Sequence, residues 1–386
     1  MLGVGRLNRS VLFVASVTKK HILQFHTPYL KWFKEQGYTV HVCAGNDFEP
    51  GEKAEIPYCD KYFEVPFSRS PLSMRNIHSY FEIKQIAKEN SYDIIHCHTP
   101  IAAALARQAF SKAHKKGTVV LYTAHGFHFY KGAPKISKLY YMVEKHYAKK
   151  TDGLITINEE DYIAASKFGK RMKCRIFRIP GIGAQLDRIH NCTRTREEMR
   201  SEFGIPNDAF LVISNSEINQ NKNNRASISA VAANKGTYLI ICGIGDMLGE
   251  CVKFAEELGA QDRVIFAGYR KDAKELLNMA DAFMLPSFRE GLSMAAIEGM
   301  AAGLPLIVSD NRSSREYARQ GENAIICDAS DTEGFIEAVR RLSTDPDLCR
   351  RLGENGRKTA EKYDLKNVLL QMESIYREFL PSENAE

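Results

Sequence analysis

Two glutamates, Glu290 and Glu298, are separated by seven residues at a point where a strand pattern gives way to a helical one. Two carboxylates at this spacing first suggest an acid and a base, as in glycoside hydrolases. Ser293, between them, is a good N-cap, and the free N–H groups at the start of a helix bind phosphates. A phosphate would repel a carboxylate, so we expect the pair to bind hydroxyl groups. A solvated surface charge stays the alternative for either glutamate alone.

Lys222 follows the first predicted strand of the second half of the chain, three residues after Asn219. Because the carboxyl ends of parallel strands meet at one edge of a sheet, a cation here lies where ligands bind. It could neutralise a leaving diphosphate through charge-assisted hydrogen bonds. A lysine in a polar loop is otherwise simply exposed to solvent.

Strand and helix patterns alternate in both halves of the chain. Short, continuously apolar strands separated by helices of about ten residues predict parallel sheets that are covered on both faces. We therefore predict an α/β protein with two doubly wound, Rossmann-like domains that face each other across a cleft. The predicted strands are 11–17, 39–44, 93–98, 119–124 and 153–158, then 210–214, 238–242, 263–267, 282–285 and 306–309.

Composition shifts mark the predicted domain boundaries. The turn at residues 179–183 ends the first alternation, and a polar stretch to about residue 200 is predicted as a linker. We expect a first domain over 1–185 and a second over 195–362. Residues 363–386 carry an apolar helical stripe that must cover a surface, so we expect this helix to cross back to the first domain.

The charge of this 386-residue chain is unevenly distributed. Residues 1–180 contain 28 Lys and Arg against 15 Asp and Glu, a net +13, and the remainder contains 25 against 32, a net −7. The basic half could face an anionic lipid, a phosphorylated substrate or nucleic acid, or be an ordinary solvated surface. No stacking motif or nucleic-acid module accompanies the charge, so we expect no nucleic-acid partner.

Apolar runs are too short for a membrane span, and no export signal is apparent, so a cytoplasmic location is expected. The nine cysteines are scattered without a Cys-x-x-Cys pair, which argues against a disulfide framework or a zinc site.

Histidines occur at two predicted strand ends and after the first strand. His96, His98, His125 and His128 form the first set, and His21 and His26 lie in a predicted loop. No carboxylate or cysteine completes a convincing set of metal ligands. We expect neutral histidines that bind sugar hydroxyls on the acceptor side (His21, His26, His98 and His128) or are hydrogen-bonded within the sheet edge.

A predicted helix at 136–150 combines an apolar stripe with five lysines, counting Lys135 just before it. Interleaved tyrosines and lysines fit an anionic membrane surface, and the loop at 69–75 could extend that surface. A helix that packs on its own sheet shows the same stripe, so both interpretations stay open.

Longer motifs in the chain resemble those of a known protein family. The segments 290–292 and 298–305 resemble the donor motif of the retaining family 4 glycosyltransferases, which have the GT-B fold. The likeness covers about residues 10–380 and is greatest for the bacterial capsule and exopolysaccharide branch. Signatures similar to that branch also occur at residues 92–100, 122–130, 157–161 and 179–183.

The resemblance implies a retaining transfer from a UDP-sugar, a hexose or N-acetylhexosamine, to a lipid-diphosphate-linked saccharide at the inner membrane face. Glu298 would bind the ribose, and residues 268–270, with Tyr269 and Arg270, would lie against the uracil. Glu290 would hold the donor hexose and Lys222 the diphosphate, and His125 would approach the donor sugar. No metal or other cofactor is expected.

By the same resemblance, Gly291, Leu292, Ser293 and Asn219 complete the donor site, and Glu290, His125 and Lys222 are the expected catalytic residues. Three departures stand out. Glu217 occupies a position where most of the family has an arginine that shares the diphosphate, although this branch commonly has glutamate there, and Ser293 replaces a proline. Neither Gln185 nor Asp187 aligns cleanly with the acidic residue expected after the turn at 179–183.

Two other functions remain open from the sequence. A UDP-sugar epimerase of GT-B fold would convert the donor without an acceptor. A non-enzymatic sugar-binding protein of the periplasmic type should carry an export signal.

Overall fold

The computed structural model describes residues 9–68, 70–130 and 134–380. The described residues leave out 1–8 of the first predicted domain and 381–386 of the predicted C-terminal segment. They also leave out Arg69 of the 69–75 loop. The chain divides into two units. The first contains the chain up to Ile182 and from Leu369 onward, and the second contains Gly183–Val368.

The first unit is built on a seven-stranded sheet with the order β3-β2-β1-β4-β5-β6-β7. All of its strand pairs are parallel. Val11 through Ala15 of the central strand are fully buried, as expected for a sheet covered on both faces. The strands are β1 (Ser10–Val17), β2 (Thr39–Gly45), β3 (Lys61–Glu64), β4 (Ile94–His98), β5 (Val119–Ala124), β6 (Gly153–Thr156) and β7 (Arg175–Arg178).

Helices connect these strands. They are α1 (Thr27–Glu35), α2 (Arg75–Glu89), α3 (Pro100–Ala109), α4 (Ser111–His114), α5 (Ser137–Tyr147) and α6 (Glu159–Met172). A 3-10 turn, Ala148–Lys150, follows α5. The sequence did not predict strand β3, helix α6 or strand β7.

Residues Thr18–His26 form a π-helix where the sequence predicted a loop, and that prediction was wrong. The carboxylate of Asp47, just after β2, accepts N–H bonds from Thr18 at 2.9 Å and from Lys20 at 3.0 Å. These bonds satisfy donors at the start of the helix that have no partner within it. The π-helix therefore depends on a carboxylate that is distant in sequence.

The second unit has a six-stranded parallel sheet with the order β10-β9-β8-β11-β12-β13. Apolar clusters cover both of its faces. Its strands are β8 (Phe210–Asn215), β9 (Thr237–Cys242), β10 (Val264–Gly268), β11 (Ala282–Leu285), β12 (Leu306–Ser309) and β13 (Ala324–Cys327).

The helices of this unit are α7 (Asp187–His190), α8 (Arg196–Glu202), α9 (Asn224–Ala233), α10 (Leu248–Glu257), α11 (Ala273–Leu276), α12 (Met294–Ala301), α13 (Ser314–Tyr317), α14 (Thr332–Thr344) and α15 (Pro346–Ala360). Short 3-10 turns occur at Gln220–Lys222, Leu277–Met279 and Glu361–Tyr363. Helix α16 (Leu365–Arg377) begins in the second unit and continues in the first.

The stretch predicted as a polar linker contains secondary structure. Helix α7 lies within it, and α8 begins there with a capping box between Thr195 and Glu198. Such a box satisfies two N–H groups that a helix start otherwise leaves unpaired. Polar composition alone therefore did not separate a capped surface helix from a linker.

The apolar stripe of α16 is buried at Met372, Ile375 and Tyr376. Within the first unit, the Tyr376 ring stacks on Trp32 with centroids 5.3 Å apart. The Tyr376 hydroxyl lies 2.8 Å from Nδ1 of His96 on β4. These contacts attach the end of the chain to the first sheet. Among the described residues, no helix is long and apolar enough to span a membrane.

Two glycines after β9 allow the loops at the strand ends of the second unit to approach closely. A Cβ atom at Gly243 would lie 1.9 Å from the carbonyl oxygen of Ser216, and one at Gly245 would lie 2.1 Å from that of Ile218. No side chain fits at either distance, so glycine is required for this approach. The loop that carries Lys222 is thus packed against the end of β9.

Candidate functional site

Two loops of the second unit are joined at the carboxyl ends of β8 and β11. The Asn221 side chain donates to the carbonyl oxygen of Arg289 at 2.9 Å, and the N–H of Phe288 donates to the carbonyl oxygen of Asn221 at 2.9 Å. These strands are neighbours at the point where the strand order reverses, which is where ligands bind in such sheets. The two loops therefore form one edge of a candidate binding site.

This joint brings two predicted site residues into contact. The Lys222 Nζ atom lies 2.6 Å from Oε1 of Glu290, and both side chains are largely shielded from solvent. The carbonyl oxygen of Glu290 also accepts a bond from Nε of Arg312 at 3.2 Å. The Lys222 cation, which can bind a negative group, is thus held next to the Glu290 carboxylate, which can accept bonds from hydroxyls.

Ser293 is the N-cap of α12, as predicted. Its hydroxyl accepts the N–H of Ala296 at 3.3 Å, and its own N–H donates to the Ser313 hydroxyl at 2.9 Å. A Cβ atom at Gly299 would lie 2.7 Å from the Phe283 side chain of β11. Small residues therefore let α12 pack closely on the sheet. Its first turn, which includes free N–H groups and the positive end of the helix dipole, is suited to bind an anion.

Glu298 lies in α12 and is buried, which excludes the solvated-charge interpretation. Nζ of Lys274, in α11, lies 2.7 Å from its Oε1 atom. Burial raises the pKa of Glu298 above its ordinary value, and the charge of Lys274 opposes that rise. A buried carboxylate with one cationic partner keeps acceptor capacity for further hydroxyl groups.

Lys274 was not among the predicted site residues. A lysine on a short amphipathic segment is typical of an exposed surface, and only its proximity to Glu298 identifies it. Its place shortly after the end of β10, at the same edge of the sheet, was the available signal.

The two residues predicted to contact the uracil, Tyr269 and Arg270, have different surroundings in the structure. Tyr269 is 74% exposed, so its ring is accessible. The guanidinium of Arg270 lies 2.8 Å from Asp272 and 2.8 Å from Glu202, and these carboxylates raise its pKa. The charge of Arg270 is therefore directed at its own turn and at α8.

Asn219 caps the 3-10 turn that presents Lys222. Its side-chain oxygen accepts the N–H of Lys222 at 3.1 Å, and its side-chain nitrogen donates to Glu217 at 2.9 Å. Asn219 and Glu217, the residue at the atypical position, thus shape this loop. Gly291 and Leu292, the other two donor-motif residues, are partly buried in the loop before α12.

In the first unit, four histidines converge at the ends of β4 and β5. His21 and His26 come from the π-helix, His98 ends β4, and His125 follows β5. Burial lowers the pKa of His21 to about 4, and it lowers the pKa values of the other three well below the ordinary range. At neutral pH all four imidazoles are therefore uncharged.

The other two predicted histidines do not join this group. Both ring nitrogens of His96 are bonded, Nε2 to Thr123 at 2.8 Å and Nδ1 to Tyr376 at 2.8 Å, so His96 belongs to the core. Exposed His128 stacks on the Tyr140 ring instead, with centroids 5.0 Å apart. Of the four histidines predicted at two strand ends, His98 and His125 therefore lie in the convergent group, and His96 is hydrogen-bonded within the sheet, one of the two expected environments.

Comparison with known proteins gives matches over most of the chain. Residues 195–359 match the family of glycosyl transferases group 1, and residues 10–158 match the glycosyl transferase 4-like family. The EpsD protein of Bacillus subtilis (strain 168), which is named as a glycosyltransferase, is 40% identical over 386 residues, covering 98% of this chain and 99% of EpsD.

A more distant relative carries a more specific name. The UDP-Gal:alpha-D-GlcNAc-diphosphoundecaprenol alpha-1,3-galactosyltransferase of Escherichia coli is 24% identical over 326 residues, covering 81% of this chain and 84% of that enzyme.

Among solved structures, Anabaena HepE in complex with UDP and glucose has a TM-score of 0.78 and 17% identity, covering 96% of this chain and 100% of HepE. This likeness confirms the predicted fold, two Rossmann-like domains of the GT-B type.

Proposed function

This chain belongs to the glycosyltransferases that combine a glycosyl transferase 4-like domain with a glycosyl transferase group 1 domain, and we propose a specific reaction for it. It transfers a hexose or N-acetylhexosamine from a UDP-sugar to a lipid-diphosphate-linked saccharide. The observation that carries the donor part is the contact of Lys222 with Glu290 beside the start of α12. The name of the Escherichia coli relative, with a UDP-sugar donor and a diphosphoundecaprenol-linked acceptor, supports both substrate classes.

In this proposal each donor group meets a side chain of matching chemistry. Buried Glu298 accepts hydrogen bonds from the ribose hydroxyls, and exposed Tyr269 offers a ring surface to the uracil. Glu290 accepts bonds from the donor sugar. Lys222 and the N–H groups at the start of α12 bind the diphosphate, whose negative charge they complement.

The reaction requires little from the protein beyond position and charge. The bond between the anomeric carbon and the diphosphate oxygen breaks, and UDP departs toward Lys222 and the helix start. The acceptor hydroxyl attacks from the face that UDP leaves, so the configuration is retained. The departing diphosphate takes the proton of that hydroxyl, and no separate base is needed. Charge stabilisation of a leaving group is commonly the largest contribution to such catalysis.

We further propose that the enzyme acts on a growing capsule or exopolysaccharide chain at the inner face of the cell membrane. The support is an apolar surface on α5. Leu139 is 51% exposed and Met142 is 57% exposed, and lysines occupy other positions of the same helix. Exposed apolar side chains beside lysines suit an anionic bilayer surface.

Replacing both Leu139 and Met142 with glutamate should lower binding to vesicles of phosphatidylglycerol and phosphatidylcholine at least tenfold, because it removes apolar contact and adds repulsion. Co-sedimentation measures this. Leu370→Glu is the matched control, since Leu370 is also exposed, at 64%, but lies on α16. Equal loss in the control, or none in the double variant, would exclude this surface.

Lys274 gives the donor site a pH dependence. In Lys274→Met the cation that opposes the raised pKa of Glu298 is lost, so this carboxyl becomes protonated at a higher pH. A protonated Glu298 accepts fewer ribose bonds. We expect UDP affinity near that of the wild type at alkaline pH and a fall that sets in at a higher pH than in the wild type.

Isothermal titration calorimetry with UDP across a pH series measures this shift. Exposed Lys271, in the same turn, provides the control variant Lys271→Met. Parallel pH profiles for Lys274→Met and the wild type would contradict a link between Lys274 and Glu298.

A panel of UDP-sugars tests the proposed function as a whole. At least one should raise the melting temperature and be consumed only when a polyprenyl-diphosphate-linked saccharide is present. Conversion of the donor without an acceptor would instead identify a UDP-sugar epimerase. Binding of free sugars without turnover would identify a non-enzymatic sugar-binding protein.

A further inference from the structure

The loop that carries Glu290 is neither helix nor strand, so its course depends on bonds from the loops beside it. This donor loop, residues 286–293, lies between β11 and α12. On the β8 side it is held by Asn221, whose side chain donates to the carbonyl oxygen of Arg289 at 2.9 Å. On the β12 side it meets a second loop, residues 310–313, which lies between β12 and α13.

Two side chains of this second loop bind the main chain of the donor loop. Nδ2 of Asn311 donates to the carbonyl oxygen of Ser287 at 3.1 Å. Nε of Arg312 donates to the carbonyl oxygen of Glu290 at 3.2 Å. A bond from a guanidinium is charge-assisted and therefore stronger than one between neutral groups. The donor loop is thus held from both sides, and Arg312 holds it at the residue proposed to bind the donor sugar.

The second loop is itself well fixed. Oδ1 of Asn311 accepts the N–H of Ser313 at 2.9 Å and that of Ser314 at 3.1 Å, which ties the loop to the start of α13. The hydroxyl of Ser313 in turn accepts the N–H of Ser293, the N-cap of α12, at 2.9 Å. The start of α12 therefore has its own attachment to this loop, separate from the bond that Arg312 makes.

Glu290 is consequently bonded at both ends of the residue. Its carbonyl oxygen is held by Arg312, which is partly buried, and its Oε1 atom lies 2.6 Å from Nζ of Lys222. The first bond fixes the main chain from which the side chain extends, and the second fixes where the carboxylate ends. Precision matters here, because a misplacement of about 1 Å at a reacting group can cost about 10²-fold in rate.

We propose that Arg312 is a positioning residue for sugar transfer. It holds the main chain of Glu290 so that the carboxylate meets the hydroxyls of the donor sugar, and it acts through Glu290 and not on the diphosphate. The inference rests on the proposed function, which assigns the donor sugar to Glu290. Loss of Arg312 should therefore affect the sugar end of the donor and spare the UDP end, which is bound by Glu298 and the start of α12.

The variant Arg312→Met tests this division. Its affinity for UDP should stay within threefold of the wild type, whereas kcat for transfer should fall at least tenfold and the ratio of UDP-sugar affinity to UDP affinity should decrease. Calorimetric titration with both ligands and steady-state kinetics measure these quantities. Arg312→Lys keeps a cationic donor and should restore part of kcat. The control is Arg315→Met, because Arg315 is an exposed arginine of α13 whose partner is Asp310, and such surface pairs contribute little.

A double-mutant cycle with Glu290→Gln shows whether Arg312 acts through Glu290. If it does, Arg312→Met should lower kcat little further once Glu290 is glutamine, since residues that act as a unit are not additive. Should Arg312→Met fail to fold, as its melting temperature would show, Arg312→Lys carries the same comparison.

Three results would overturn the inference. A loss of UDP affinity as large as the loss of kcat would place Arg312 on the diphosphate. Fully additive effects in the cycle would show that it does not act through Glu290, and an unchanged kcat and affinity ratio would show that Glu290 does not need it. A wild type that binds UDP-sugars but transfers none refutes the proposed function alone, because the affinity ratio still decides the role of Arg312.

Discussion

Replacing Lys222 by methionine is expected to lower kcat for sugar transfer about a hundredfold or more, while the protein stays folded. Lys222 is the cation held at the strand ends, 2.6 Å from Glu290, where the departing diphosphate is proposed to collect charge. Loss of a single group that stabilises developing charge typically costs about 10²–10³ in kcat. Steady-state kinetics with the donor found in the UDP-sugar panel measure the effect.

A separate structural effect of this substitution must be distinguished. Glu290 loses its partner in Lys222→Met, and a shielded carboxylate without a cation is destabilising. Lys222→Met/Glu290→Gln removes both charges, and Lys222→Arg restores the positive one. Rescue of kcat by arginine would support the catalytic role, and the melting temperature of the double variant shows how much of the destabilisation comes from the unpaired carboxylate. Lys235→Met, at an exposed position of the same unit, is the control. A kcat within threefold of the wild type in Lys222→Met would refute it.

Glu298→Ala is expected to weaken UDP binding about a hundredfold. Hydrogen bonds to a charged group are worth about 1.5–3 kcal/mol each, and the carboxylate is proposed to accept bonds from both ribose hydroxyls. Its burial in α12 leaves little room for water to replace those bonds. Glu298→Gln should fall between the wild type and alanine, because an amide oxygen still accepts. Calorimetric titration with UDP measures all three.

A modified ligand separates ribose binding from general damage to the site. UDP that lacks both ribose hydroxyls should bind the wild type much more weakly than UDP does, and Glu298→Ala should not distinguish the two. The exposed Glu256→Ala on α10 is the matched control. If the alanine variant still prefers intact UDP by the full wild-type factor, Glu298 does not bind the ribose.

Several of these features could be predicted from the sequence because local chemistry determines them. Apolar runs such as that of β1 are buried whatever surrounds them, and this predicted the parallel sheets. Ser293 precedes a run of small residues, so both the N-cap and the close packing of α12 followed from residue type. Lys222 and Glu290 were each predicted from their place at a strand end, and the ion pair joins them.

The remainder depends on tertiary contacts. The π-helix needs N–H bonds to Asp47, which is 29 residues from Thr18, and no local propensity indicates such a pairing. Lys274 has the pattern of a surface lysine and is distinguished only by its contact with Glu298. Similarly, His96 and His98 are two residues apart on one strand, yet His96 belongs to the core and His98 to the convergent group. Only the hydrogen bonds of His96 with Thr123 and Tyr376 distinguish the two.

The central claim is that a UDP-sugar donates its sugar to a lipid-linked acceptor. Its most direct test counts UDP released and glycosylated product formed by the wild type with a polyprenyl-diphosphate-linked saccharide. The account predicts one UDP for each sugar transferred, product with the anomeric configuration of the donor, and little UDP release without acceptor. Donor conversion that does not need the acceptor, or transfer with no UDP released, would contradict it.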